Sequence, residues 1–175
     1  MADVSNSKLF HFNTGIQHAK DACIVLVKTE WNAAIVDELE NGCIAALRKH
    51  GVKKIISVCV PGAIEIPFAI KNYWEESSSK NKADAFIALA CVIKGGTPHF
   101  EYVCSSVTNG ITQLNLTLPV PVIFGVLTVN DELQARERIG GAHGHKGEEA
   151  AITALKMISL QSSFKKDPKK KPSNN

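Results

Sequence analysis

Four short apolar runs, each followed by a segment of helical periodicity, constrain this chain more than any other feature. The runs are 22–27 (Ala-Cys-Ile-Val-Leu-Val), 55–60 (Ile-Ile-Ser-Val-Cys-Val), 85–93 (Ala-Phe-Ile-Ala-Leu-Ala-Cys-Val-Ile) and 122–127 (Val-Ile-Phe-Gly-Val-Leu). The first is short and β-branched and is read as a strand buried on both faces, and the other three are read as further strands of the same parallel sheet. The run 85–93 is the longest and is placed at the centre. Between the runs, Ile35, Leu39, Cys43, Ala46 and Leu47 recur at helical spacing. So do Ile66, Ala69, Ile70, Tyr73 and Trp74, and then Val103, Val107, Ile111, Leu114 and Leu118. Two more helices are expected near 132–138 and 148–160. This alternation predicts an α/β protein, a three-layer α/β/α sandwich around a four-stranded parallel sheet with right-handed crossovers.

The punctuation agrees with that order. Asn32 is placed to cap the first helix with its side chain. Arg48, Lys49 and His50 suit the negative end of that helix, and Gly51 supplies a left-handed stop. Pro61-Gly62 breaks the second strand, and Pro67 fits only the first turn of the next helix. Residues 77–82 form a polar surface loop. Thr97 is expected as a cap, with Pro98 at the first helical position.

The chain has 175 residues, which suits one domain, and 45% of them are hydrophobic. We divide it into an N-terminal arm at 1–21, a folded domain at 22–162 and a basic tail at 163–175 that is expected to be disordered. Net charge is +3, with Lys165, Lys166, Lys169, Lys170 and Lys171 all in the tail. The body is near neutral, so no nucleic-acid partner is indicated. No apolar run is long enough to cross a bilayer, and the first twenty residues lack a secretory pattern, so a cytoplasmic protein is expected. Cys23, Cys43, Cys59, Cys91 and Cys104 form no C-x-x-C pair and are read as reduced, buried small hydrophobes. No internal repeat is present.

In an open parallel sheet, ligands bind beyond the carboxyl ends of the strands. Here those ends lead into Thr29-Glu-Trp31-Asn32, Pro61-Gly-Ala63-Ile64-Glu65 and Lys94-Gly-Gly96-Thr97-Pro-His99. The fourth run carries Phe124 and extends to Thr128. Gly96-Thr97 before a helix suits a phosphate, because the backbone is open and the helix start offers free N–H groups; a plain turn with a cap uses the same residues. His99 lies at that helix start, where the positive end disfavours imidazolium and a neutral ring suits proton transfer. A surface histidine is the alternative. Trp31 suits stacking on a flat heterocycle, or a place in the core. Glu65 is a lone carboxylate in an apolar stretch, fit for polyol hydroxyls or for capping the next helix. Arg138 and Lys146 flank Gly140-Gly-Ala-His-Gly-His145, which departs from the P-loop pattern at His145 and Gly147. His143 and His145 lack a nearby third ligand, so no metal site is assigned and this segment is read as a flexible basic loop.

These segments also carry a resemblance. Trp31-Asn32, Pro61-Gly-Ala-Ile-Glu-Ile-Pro67, Val92-Ile-Lys-Gly-Gly-Thr-Pro-His-Phe-Glu-Tyr-Val103, Pro121-Val-Ile-Phe-Gly-Val-Leu-Thr128 and Glu137-Arg-Ile-Gly140 through Lys146-Gly147 resemble the lumazine synthase family in order and spacing. The likeness spans roughly residues 22–160. It implies a flavodoxin-like fold and an enzyme without metal or organic cofactor. The implied reaction condenses 5-amino-6-(D-ribitylamino)uracil with 3,4-dihydroxy-2-butanone 4-phosphate to give 6,7-dimethyl-8-ribityllumazine. By the same resemblance, Trp31 stacks on the pyrimidine. Ala63, Ile64 and Glu65 hold the ring and ribityl chain. The backbone of Cys91, Val92 and Ile93 reads the pyrimidine edge. Gly96 and Thr97 bind phosphate, and His99 transfers protons. Phe124, Arg138 and Lys146 match residues contributed by a neighbouring subunit. The implied partners are copies of the chain, as a pentamer and in some members an icosahedral shell of pentamers, together with riboflavin synthase. Ile64 stands where an aromatic is commoner, Gly96 where Ala is frequent, and His143 and His145 in a loop that often carries Lys and Asn.

Two rival readings use the same pocket without catalysis: a carrier of a finished lumazine or flavin, and a shell protein kept for assembly. Neither needs His99, Thr97 and Arg138 together. Formation of lumazine from the two substrates separates them.

Overall fold

The computed structural model describes Leu9 and residues 19–164. The four apolar runs are the four strands of one parallel sheet. They are β1 (Cys23–Thr29), β2 (Lys54–Val60), β3 (Ala85–Ile93) and β4 (Val122–Val129), in the order β2-β1-β3-β4. The helices are α1 (Ala33–Lys49), α2 (Ile66–Glu76), α3 (His99–Thr117), the short α4 (Glu132–Arg136) and α5 (Lys146–Phe164). Alternate strand residues feed two separate cores. Ile24, Leu26, Ile87 and Leu89 pack with Leu39 and Leu47 of α1 and Leu155 of α5. Val25, Val27, Phe86 and Ala88 pack with Ile66 and Ile70 of α2 and Val107 and Ile111 of α3. The result is the expected three-layer α/β/α sandwich with the flavodoxin-like strand order. Complete burial of residues such as Leu26 and Phe86 contributes about 1.5–3 kcal/mol each.

Two glycines let α1 pack closely against α5 and against His145 just before it. A Cβ on Gly147 would stand 2.0 Å from the Leu39 carbonyl oxygen, and one on Gly42 would stand 2.1 Å from the His145 ring. The upper part of this face is polar. The Lys28 ammonium bonds Glu40 at 2.6 Å and Asp37 at 2.9 Å, and Ser57 Oγ donates to Glu40. Glu40 first, and then Asp37, hold the lysine's pKa well above its ordinary value.

Several expectations need correction. Asn32 precedes α1 but makes no side-chain cap: its backbone is left-handed, with φ 56° and ψ 42°, rather than the extended form from which a side-chain oxygen reaches the helix N–H groups, and its Nδ2 donates to a distant carbonyl. Thr97 is not a side-chain cap either; α3 begins at His99, and Pro98 stands in the capping position. The segment read as a flexible loop around His143 is a two-stranded antiparallel hairpin, β5 (Ile139–Gly141) with β6 (Gly144–His145). Gly140 and Gly144 take positive φ there, which lets so short a ribbon close. Helix α5 starts at Lys146 and continues through Ser163 and Phe164, two residues assigned to the tail. Residues 165–175 and most of the N-terminal arm lie outside the described residues. Cys59 is exposed and Cys104 half-buried, so only Cys23, Cys43 and Cys91 are buried as expected. Gly51 does adopt the left-handed conformation, with φ 86°.

Candidate active site

Strand order reverses between β1 and β3, since β1 leads outward to β2 while β3 leads the other way to β4. The connections leaving those strands therefore diverge and open a crevice at their carboxyl ends. Unequal strand lengths deepen it. β1 pairs with β3 only as far as Lys28 opposite Leu89, whereas β3 continues beside β4 to Ile93 opposite Val129. The last residues of β3 thus lack a strand on the β1 side.

The resulting cleft has a volume of about 420 Å³. Thr29, Trp31 and Asn32 line it from the end of β1, and Gly62 to Glu65 from the end of β2. Cys91, Val92 and Ile93 line it from β3, and His99 and Val103 from α3. The indole of Trp31 is 73% exposed, an unusual state for a tryptophan that the chain itself uses in packing. Residues 63–65 form one 3-10 turn, and Glu65 points no side-chain cap at α2 although it precedes that helix. A Cβ on Gly62 would lie 2.9 Å from Glu65 Oε2 and 3.7 Å from Trp31 Cδ1. Indole and carboxylate thus flank the same bare backbone.

Gly96, Thr97 and His99 are exposed at the start of α3. A Cβ on Gly95 or Gly96 would meet nothing within 4 Å, so the chain's own packing requires neither glycine. The first N–H groups of α3 have no partner within the helix by its geometry, and no side chain caps them. Burial, reinforced by the charge of Glu132, pushes the Cys91 thiol up to about 11. It is a neutral thiol near pH 7, and it is the carbonyl of Cys91 that takes part in a hydrogen bond at the cleft, with Asn32.

Phe124, Lys146 and Arg138 are not in this cleft. Phe124 is mid-strand in β4, opposite Ala88, and lines a second cleft of about 450 Å³ together with Lys146, Glu149 and Met157. Lys146 is 6% exposed and bonds Glu149 at 2.6 Å. Arg138 lies beyond α4, where Nη1 donates to the Gln134 carbonyl at 2.7 Å and stands 3.8 Å from Glu137. Its carbonyl accepts from the Lys146 N–H, so the hairpin clips the two basic residues into one frame. His143 faces Glu137 at 3.7 Å while the His145 ring meets Gly42, so the two histidines turn to different neighbours. Among the described residues, no group of three or more His, Cys, Asp or Glu is disposed to hold a metal, and no helix is long and apolar enough to cross a membrane.

Sequence reasoning missed two residues that shape the cleft, Asn32 as a tether and Gly62 as the bare floor. The signal for Gly62 was its place directly before Ala63-Ile64-Glu65. For Asn32 the partner is 59 residues away, and no local pattern announces it.

Comparison with known proteins bears on this geometry. The family model described as 6,7-dimethyl-8-ribityllumazine synthase matches residues 21–162. A Porphyromonas gingivalis protein of that name is 50% identical over 144 residues, covering 81% of this chain and 87% of the relative. One from Parabacteroides distasonis is 44% identical over 157 residues, covering 89% and 95%. A third, from Bacteroides fragilis, is 47% identical over 143 residues, covering 81% and 97%. The match takes in all four strand ends, the cleft between them and the basic hairpin, and on that basis the chain belongs to the 6,7-dimethyl-8-ribityllumazine synthase family.

Proposed function

We propose that this chain condenses 5-amino-6-(D-ribitylamino)uracil with 3,4-dihydroxy-2-butanone 4-phosphate, releasing phosphate and water and forming 6,7-dimethyl-8-ribityllumazine in riboflavin biosynthesis. The observation that carries this reading is one cleft, in a member of this family, that gathers an exposed indole, an unengaged carboxylate, a strand end open on one side and an imidazole. Trp31 stacks on the pyrimidine and Glu65 accepts from ribityl hydroxyls, with Ala63 and Ile64 forming the wall. The backbone of Cys91, Val92 and Ile93 hydrogen-bonds the pyrimidine edge. Gly96 and Thr97 at the start of α3 take the phosphate, where bare backbone and helix polarity both suit an anion.

The chemistry requires an amine to attack a carbonyl, phosphate to leave and a second ring to close. His99 moves protons in those steps, a role worth about 10²–10⁴-fold in rate for such groups. Holding both substrates in one orientation contributes at least as much.

In this proposal the site is completed by another copy of the chain, which brings Phe124, Arg138 and Lys146, with Arg138 on the phosphate. A ring of five copies supplies such a heterologous contact at every position. The short connection from Arg138 to Lys146 favours packing of these pentamers into an icosahedral shell. Location in the cytoplasm and association with riboflavin synthase, which consumes the lumazine, complete the reading.

The direct test mixes purified protein with both substrates and follows lumazine absorbance, with and without a chelator. Turnover indifferent to chelator is expected. No lumazine formation contradicts the proposal, and loss of activity with chelator, restored by zinc, contradicts its metal-free form.

A further inference from the structure

We infer that Asn32 is a positioning residue for the aminouracil: its side-chain amide ties the turn carrying Trp31 to the backbone at the end of β3. This rests on the reading of the cleft as the condensation site and deepens it.

Among the described residues, Asn32 is the one non-glycine with positive φ, at φ 56° and ψ 42°. That region disfavours residues with a Cβ, and asparagine is among those that tolerate it best. An asparagine in this position ordinarily turns its side-chain oxygen onto the N–H groups at the start of the helix. Asn32 does not cap them. Its Nδ2 donates to the Cys91 carbonyl at 2.8 Å instead.

The reason lies in the sheet. The last rung between β1 and β3 joins Lys28 to Leu89, and β3 runs on to Ile93. The Cys91 carbonyl therefore lies beyond the point where β1 can supply a donor. The Asn32 amide takes the place of the missing rung. A left-handed turn is what swings it there, and Thr29 Oγ1 holds the same turn by donating to the Trp31 carbonyl at 3.3 Å.

Trp31 is the adjacent residue, and most of its ring is solvent-exposed. The turn is thus what sets its height above the end of β3. A flat heterocycle that stacks on the indole and hydrogen-bonds the backbone of residues 91–93 depends on that spacing. A sugar phosphate seated at Gly96-Thr97 does not. The tether is therefore selective for one of the two substrates.

Asn32→Gly keeps the left-handed backbone without strain and removes the amide. Steady-state kinetics with each substrate varied in turn, beside a thermal melt, give the readout. We expect KM for the aminouracil to rise about five- to tenfold, the scale of one neutral hydrogen bond. KM for the butanone phosphate stays within about twofold, and the melt stays close to wild type. Asn32→Asp, which sets a carboxylate against the Cys91 carbonyl, shows the same selective rise and a larger one; it carries the test if the glycine variant melts early. Equal rises in both KM values, or unchanged KM values in both variants, overturn the inference while leaving the wild-type activity in place. A wild-type protein that forms no lumazine overturns the condensation reading and this inference with it.

Discussion

Two clefts of this chain hold the side chains assigned to the proposed site in opposite ways. At the strand ends, Trp31, Glu65 and His99 are exposed, and neither Glu65 nor His99 forms an ion pair among the described residues. At the β4–α5 face and the adjoining hairpin, the basic residues are fastened: Lys146 is buried against Glu149, and Arg138 is bonded to the Gln134 carbonyl. One region leaves its groups exposed, and the other fixes them against neighbours within the chain. Phe124 and Lys146 line a different cleft from Trp31, Glu65 and His99. The proposed site, assembled between two copies, would use each region as it stands.

The largest effect should come from the exposed region. His99→Ala is expected to lower kcat by about one to three orders of magnitude, in line with the loss of a general acid–base group. Binding of a product analogue, followed by titration calorimetry, should change little. Unchanged turnover would remove His99 from the mechanism and weaken the contrast between the two regions.

A smaller effect, on stability, should come from the frame behind the fastened region. Gly147 follows Lys146 directly and sits where α1 and α5 touch. In Gly147→Ala the new Cβ collides with backbone, the Leu39 carbonyl, which cannot rotate away. Overpacking of this kind costs about 2–3 kcal/mol, read as a fall in the midpoint of denaturant unfolding. Activity per folded molecule should also drop, because the helix start carrying Lys146 must shift. An unchanged midpoint would mean that the helices separate freely and that this region is not the rigid one.

How much of this was legible in the sequence follows the range of the interactions. The strands and the three long helices declare themselves through periodicity, because burial on a sheet face or a helix stripe repeats locally. Gly51 was readable for the same reason, since a helix stop is a matter of a few residues. The β5–β6 ribbon was not, because strands of three and two residues have no period to show and their glycines look like a loop. Asn32 was misread because its local context argued for a cap, while its left-handed backbone turns the side chain toward a carbonyl 59 residues away. In the cleft, the strand-end rule located Trp31, Glu65 and His99. The separate placement of Phe124 required the register of β4, which puts it opposite Ala88 in mid-strand. The expected partition of the site between copies came from the resemblance, and no periodicity or spacing in the chain carries it.

Complementation tests the shared site most directly. One chain carries His99→Ala and another carries Arg138→Ala, and the two are coexpressed and purified as verified mixed assemblies. Each parent alone should be nearly inactive. If every site joins the strand-end cleft of one copy to the basic face of the next, independent pairing of two faces leaves about a quarter of the interfaces free of both lesions. Activity should then rise to about a quarter of wild type, far above either parent. If each site lies within one chain, every site carries a lesion. Verified mixed assemblies with no more activity than the parents would contradict the shared site.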